Sequence, residues 1–146
     1  PIINYNDPLS SAENRRMELA ALSRAKPNVH EYYDNDETAA QVALLVHAQT
    51  LLILTSADGI YADPNDPATL IEEIGGKDAY ELEQNIEEAK THCDGASRKG
   101  ANGARAKLEY VKEAALQGTT VYIANGKYSI ADILAGKVRR TAIRLR

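Results

Sequence analysis

Two stretches carry side chains whose types and spacing could do chemistry. In "YDNDETAAQVALLVHA", Asp34, Asn35, Asp36 and Glu37 stand directly ahead of an apolar run. Asp34 with Glu37 has the spacing of a capping box, and acids favour the positive end of a helix. Capping is the simpler account of this cluster taken alone, yet it leaves Asn35 and Asp36 without a task. The second stretch is "GASRKGANGARAK", where Gly95, Gly100 and Gly103 alternate with Arg98, Lys99, Arg105 and Lys107 at the start of a helical pattern. Glycines let the backbone approach an anion, N–H groups at a helix start bind it, and cations neutralise it. A solvated basic loop explains the same residues equally well when nothing else is considered.

The elements that must position these residues alternate along the chain. "AENRRMELAALSRA" has Met17, Leu19, Ala20 and Leu22 at roughly helical spacing and is ended by Pro27. "DETAAQVALLVHAQ" predicts a buried helix and "TLLILTS" a central strand. "ADGIYADPNDPA" is dense in turn dipeptides, and "TLIEEI" reads as a short strand before Gly75-Gly76. In "AYELEQNIEEAKTH", Leu82, Ile86 and Ala89 share a helix face, and in "ARAKLEYVKEAALQ", Leu108, Val111, Ala115 and Leu116 do. "GTTVYIANG" predicts a strand ending in a turn, and "SIADILAG" a short helix capped by Ser129 and closed by Gly136. "TAIRLR" predicts a final strand at a sheet edge. Strands alternating with helices imply an α/β sheet with helices on both faces. Ligands of such sheets bind beyond the carboxyl ends of strands. Three polar groups stand at such ends: Asn4-Tyr5-Asn6-Asp7 after "PII", Thr55-Ser56 after "LLIL", and Asn125-Gly126 after "TVYI".

Composition narrows the function classes. The 146 residues suffice for one domain with one core, built from Ala, Val, Ile and Leu because there is no Trp or Phe. A net charge of −4 argues against general nucleic-acid or membrane binding. Cys93 is the single cysteine, which excludes an internal disulfide and suits a reducing cytoplasm. The chain opens on "PIINYND" without Met, and this start reads as the end of a buried strand, so a piece of a longer chain is expected.

Taken together, the motifs resemble the amino acid kinase family, and within it the glutamate 5-kinase branch. "PIINYND" is similar to that branch's PIINEND strand end. "YDNDETAAQVALLVHAQTLLILTSADGIY" is similar to its GDND segment followed by LLLLTD..GLY, and "ADPNDPATLI" to its ADPR..P.A.LI loop. "KGANGARAKLEYVKEAALQGTTVYIANG" is similar to its GTGGM.TKL.AA..A...G...IANG loop, helix and strand. The likeness covers nearly the whole chain and corresponds to the second half of a family kinase domain. It implies a three-layer αβα sandwich of the amino acid kinase type, of which residues 1–146 are the C-terminal, nucleotide-binding part. Residues 8–30 would be a segment inserted at the substrate site and 95–107 a Gly-rich phosphate loop, with no PUA domain following.

The resemblance also implies transfer of the ATP γ-phosphoryl group, with Mg2+, to the side-chain carboxylate of glutamate. The product is an acyl phosphate, the first intermediate toward proline. Asn4, Asn6, Asp7 and Asn35 match amino-acid-binding positions. Thr55 and Ser56 match the pair that meets the nucleotide, with Tyr61, Asp63 and Pro64 near the base and ribose. Gly100, Ala101, Asn102, Gly103, Ala104, Arg105, Ala106 and Lys107 match the nucleotide loop. Lys107 would be the phosphate-binding lysine and Asp36 the acid that orients the catalytic lysines. A glutamate carboxylate is already ionised at pH 7, so the reaction needs charge neutralisation and in-line positioning, not a general base. The implied partners are glutamate, the absent first half of the kinase domain and further copies in a homo-oligomer, in the cytoplasm.

Several residues depart from the family pattern. Ser56 replaces an Asp, and Asn102 replaces a Gly. The span between Asp7 and Asn35 is longer than the family loop, and the turn after Tyr61 is shorter. An aspartate, acetylglutamate or uridylate kinase, or a non-catalytic relative that binds nucleotide or amino acid, stays open as an alternative. His92-Cys93 is too small a set for a metal, His47 reads as packed within its helix, and Arg139-Arg140 as a solvated end.

Overall fold

The computed structural model describes residues 35–93 and 101–146, with the backbone alone at Ala101 and Asn102. Its elements are α1 (Asn35–Leu45), β1 (Thr50–Thr55), a 3-10 turn (Pro67–Thr69), β2 (Glu73–Gly76), α2 (Ala79–His92), α3 (Ala101–Leu116), β3 (Thr120–Asn125), α4 (Ile130–Leu134) and β4 (Arg140–Leu145). The four strands form one sheet in the order β1-β3-β4-β2. β1 is parallel to β3 and β2 to β4, while β3 and β4 run antiparallel with Val121 opposite Ile143.

Side chains alternate across the sheet and sort its two faces. Leu51, Ile53, Val121, Ile123 and Ile143 turn to one face and share a core with Leu82 and Ile86 of α2 and with Leu108 and Val111 of α3. The helix faces expected from spacing are therefore the buried ones. α1 contributes Ala40 and Ala43, small residues that let it lie close. The opposite face carries Leu52, Leu54, Tyr122 and Ala142. Ile133 of α4 is fully buried outside the shared core. At the end of β2 the backbone runs against the first turn of α2. A Cβ on Gly76 would stand 2.3 Å from the Leu82 nitrogen, so only glycine fits.

Capping sets the helix limits. The Asp78 side chain accepts from the Glu81 N–H at 2.8 Å and starts α2, and Ser129 caps α4 by accepting from the Asp132 N–H at 3.1 Å. Three helices end in the same paired arrangement. Thr119 N–H donates to Ala114 and Gly118 N–H to Ala115; Lys137 donates to Asp132 and Gly136 to Ile133; Ala48 donates to Ala43 and His47 to Leu44. The left-handed residue is Gly118 or Gly136 in two of them and His47, at φ 50°, in the third.

Several expectations are corrected. β4 lies inside the sheet, paired on both sides, and β1 is an outer strand of the described four with Leu54 half exposed. Of "TLIEEI", only Glu73 and Ile74 are strand; the strand is Glu73–Gly76 and includes both glycines, because pairing with β4 supplies its hydrogen bonds. α1 ends at Leu45, so His47 is an exposed cap residue and not a packed one. α3 begins at Ala101, so residues 101–107 are helix where a loop was expected.

Candidate active site

The short turns joining α1 to β1 and α3 to β3 reverse the chain. The amino ends of both helices therefore lie over the carboxyl ends of the strands that follow them. A 16-residue helix rises about 24 Å and a six-residue strand about 20 Å, so start and end coincide closely. Asp36 stands at the start of α1 and Lys107 in the second turn of α3, with Thr55, Ser56 and Asn125 at or just past the strand ends.

α1 and α3 pack through Ala40, Ala43, Leu108 and Val111, and this brings Asp36 against Lys107. Lys107 Nζ lies 2.8 Å from Asp36 Oδ2, and both side chains are about four-fifths buried. Such a pair is shielded enough to hold its geometry and open enough to meet a ligand. Gly103 lies one helical turn before Lys107 on the same face. Among the described residues, no atom beyond the helix's own backbone comes within 4 Å of where its Cβ would be. Among the described residues, the surface beside the ammonium is therefore free of side chain at that point. Arg105 is exposed on the same opening turns.

The strand ends are tied to each other. Thr55 pairs with Asn125 in register, and the Gly126 N–H donates to Thr55 O at 2.9 Å. Asn125 Nδ2 donates to Ser56 O at 2.8 Å, while its Oδ1 accepts from the Lys127 N–H at 3.1 Å. Lys127 Nζ lies 3.2 Å from Asp58 Oδ1 and over the Tyr128 ring, 4.7 Å from its centre. Tyr128 and Asp58 together hold this ammonium above the ordinary lysine range. Asn125 thus fixes the backbone path of the Thr55-Ser56 turn, a role that its place after a strand did not reveal.

After that turn the chain folds back on itself. Ile71 N–H donates to Ile60 O and Ala62 N–H to Thr69 O, with Tyr61 opposite Leu70. The Thr141 hydroxyl, fully buried, accepts from the Ile60 N–H at 2.8 Å and donates to Ile71 O at 2.7 Å. At the exposed tip, Asp63 Oδ1 accepts from the Asn65 N–H at 2.9 Å. Arg139 Nη2 donates to Pro67 O and anchors the tip to the start of β4. Tyr61 is half-buried, and Asp63 and Pro64 are exposed.

Asn35 is the exposed first residue of α1. Asn4, Asn6, Asp7, the 8–30 segment, the Asp34 cap and Gly100 lie outside the described residues. Ala101, Asn102, Ala104 and Ala106 belong to α3. Among the described residues, no three His, Cys, Asp or Glu side chains converge as a metal site would require, and no helix is long and apolar enough to cross a membrane.

The sequence profile of the amino acid kinase family matches residues 19–125, most of the chain. The chain belongs to the amino acid kinase family. Among its relatives, the glutamate 5-kinase of Clostridium perfringens is 35% identical over 141 residues, covering 94% of this chain and 46% of that protein. The glutamate 5-kinase of Bacteroides thetaiotaomicron is 36% identical over 130 residues, covering 87% of this chain and 29% of its own length. That of Streptomyces avermitilis is 30% identical over 139 residues, covering 94% and 31%. The chain thus spans less than half the length of these amino acid kinase relatives.

Proposed function

We propose that this chain is the nucleotide-binding part of an amino acid kinase that phosphorylates the side-chain carboxylate of glutamate, the first step toward proline. The observation that carries the reading is the Asp36–Lys107 pair, which joins the start of α1 to the second turn of α3. Lys107 would hold transferring phosphoryl oxygens, and Asp36 would fix its ammonium without acting as a base. The open face at Gly103 leaves room for the phosphates of ATP, and the Asn125-fixed turn presents Thr55 and Ser56 to the nucleotide. Bound ATP supplies the phosphoryl group. Mg2+ would arrive on the nucleotide phosphates, since the described residues offer no cage of their own. Asn4, Asn6, Asp7 and Asn35 would bind the amino acid. The coverage of the relatives supports a further kinase half as partner, and a cytoplasmic homo-oligomer completes the reading.

The test is ADP release with MgATP and each of glutamate, aspartate, N-acetylglutamate and UMP. It uses a protein that carries this chain together with the remaining length found in its relatives. Turnover is expected with glutamate, and none is expected from the 146 residues alone. Turnover confined to another acceptor would overturn the substrate. Nucleotide binding without turnover on any acceptor would favour a regulatory relative, a reading that the replacement at Ser56 motivates.

A further inference from the structure

On the sheet face away from α1, α2 and α3, a cleft of about 420 Å³ opens between β4 and the segment that precedes it. Its lining includes Lys137, Arg139, Arg140 and Arg144, faced by Glu72 and Glu73. In a chain of net charge −4, four cations in one cleft are a local reversal of sign. Three of the four are engaged. Arg144 Nη2 bonds Glu73 Oε2 at 2.9 Å, and Arg146 takes the other oxygen of that carboxylate at 2.8 Å. Arg139 donates to Pro67 O, and Lys137 lies 3.8 Å from Asp132.

Arg140 differs from these three. Its guanidinium carbon lies over the Tyr122 ring, 4.2 Å from the centre, and its Nη1 is buried with no hydrogen-bond partner. Gly136 stands behind it, where a Cβ would come within 3.3 Å of Nη2. Stacking fixes the guanidinium plane and leaves its edge as a preformed fork. A buried charged donor without an acceptor is costly, so an oxyanion that reaches Nη1 restores the hydrogen bond it lacks. Expected from sequence to be a solvated end, Arg140 is the most constrained cation on this face.

We propose that this cleft binds a small phosphate- or carboxylate-bearing molecule, with Arg140 as its bidentate donor and Lys137 at the rim. The site is separated from Lys107 by the thickness of the sheet, because Tyr122 and Arg140 point away from the core that holds α3. It is independent of the proposed kinase reading.

Inorganic phosphate and citrate, titrated separately at constant ionic strength into the 146-residue chain, test this through the arginine Nε–Hε resonances. A saturable shift at Arg140 is expected with at least one of them. A response to phosphate alone would assign a phosphoryl ligand, and one to citrate alone a carboxylate. Arg140→Gln should weaken binding about tenfold and Lys137→Gln about threefold, and the Arg140 shift should persist in Lys107→Ala. No saturable shift with either anion, or equal affinity in Lys137→Gln and Arg140→Gln, would overturn the proposal. If Arg140→Gln does not fold, Lys137→Gln decides.

Discussion

Asp36 on α1 and Lys107 on α3 meet at 2.8 Å, across a helix–helix contact made mostly of alanine, leucine and valine. Asn is a cap as good as Asp, so a capping role alone would make Asp36→Asn nearly silent. If the carboxylate fixes the lysine for phosphoryl transfer, Asp36→Asn in the complete enzyme should lower kcat at least tenfold, about 1.4 kcal/mol. Stability should fall by no more than about 1 kcal/mol, because the amide oxygen still accepts a hydrogen bond. Coupled ADP release and thermal melting measure the two. An unchanged kcat returns the residue to capping.

Gly103 separates stability from ligand space. Its would-be Cβ meets nothing, so Gly103→Ala should stabilise α3 by about 0.5–1 kcal/mol. If phosphates occupy that opening, the same methyl group should weaken nucleotide affinity. A higher Tm with unaltered nucleotide affinity would place the phosphates elsewhere.

The Thr141 hydroxyl is the buried tie of the fold-back that carries Tyr61 and Asp63. Thr141→Val leaves the Ile60 N–H and Ile71 carbonyl unpaired in a buried place, which should cost about 1–3 kcal/mol in denaturant unfolding. Thr141→Ser should recover most of the loss. A Thr141→Val variant as stable as the parent would show that these two hydrogen bonds contribute nothing.

His47 sits where Gly118 and Gly136 sit in the sister helix ends. His47→Gly should therefore raise stability, by up to about 1 kcal/mol, by removing the left-handed penalty. A loss of stability would show that the imidazole makes a compensating contact.

Between α2 and α3, Lys90 is nearly buried and bonds Glu87 and Glu109, while Lys112 bonds Glu87. Hydrogen bonds from Lys90 hold both carboxyls below the ordinary 4.5, against the opposing effect of burial. Burial alone would lower Lys90, but the two carboxylates raise it above 10.5 on balance. The carboxylates' contribution is present above the unfolded value near 4.5 and lost as pH falls through the lower folded values. That of Lys90 is present below 10.5 and lost as pH rises through its folded value. Acid unfolding should shift to lower pH relative to a Glu87→Gln/Glu109→Gln double variant. The double variant strands a buried ammonium and should be less stable at pH 7 than Lys90→Met, which leaves only half-exposed carboxylates. The reverse order would refute this network.

Much of the local structure was legible because it is written at short range. Leu82, Ile86 and Ala89 repeat at helical spacing, and Ser129 and Gly136 bracket α4. Sheet order was not legible: nothing near Thr141 or Ile143 says that β4 is flanked by β3 and β2. Nor does any local signal tell that Arg140 stacks on Tyr122, or that Asn125 reaches Ser56. Asp36 and Lys107 were singled out by family resemblance; their contact depends on how α1 and α3 pack, which no spacing encodes. The start of α3 was misplaced because Gly and Asn weaken a helical pattern, while packing of the later turns extends it backward.

The position of β4 has a consequence during synthesis. β2 is made before β4, yet among the described residues β4 is its strand partner, and β4 leaves the ribosome about seventy residues later. Until residues 140–145 emerge, Ile74 and Gly76 have no ladder to join, and the inner edge of β3 is bare. β2 therefore waits about seventy residues, and β3 about fifteen, for the strand that pairs with them both.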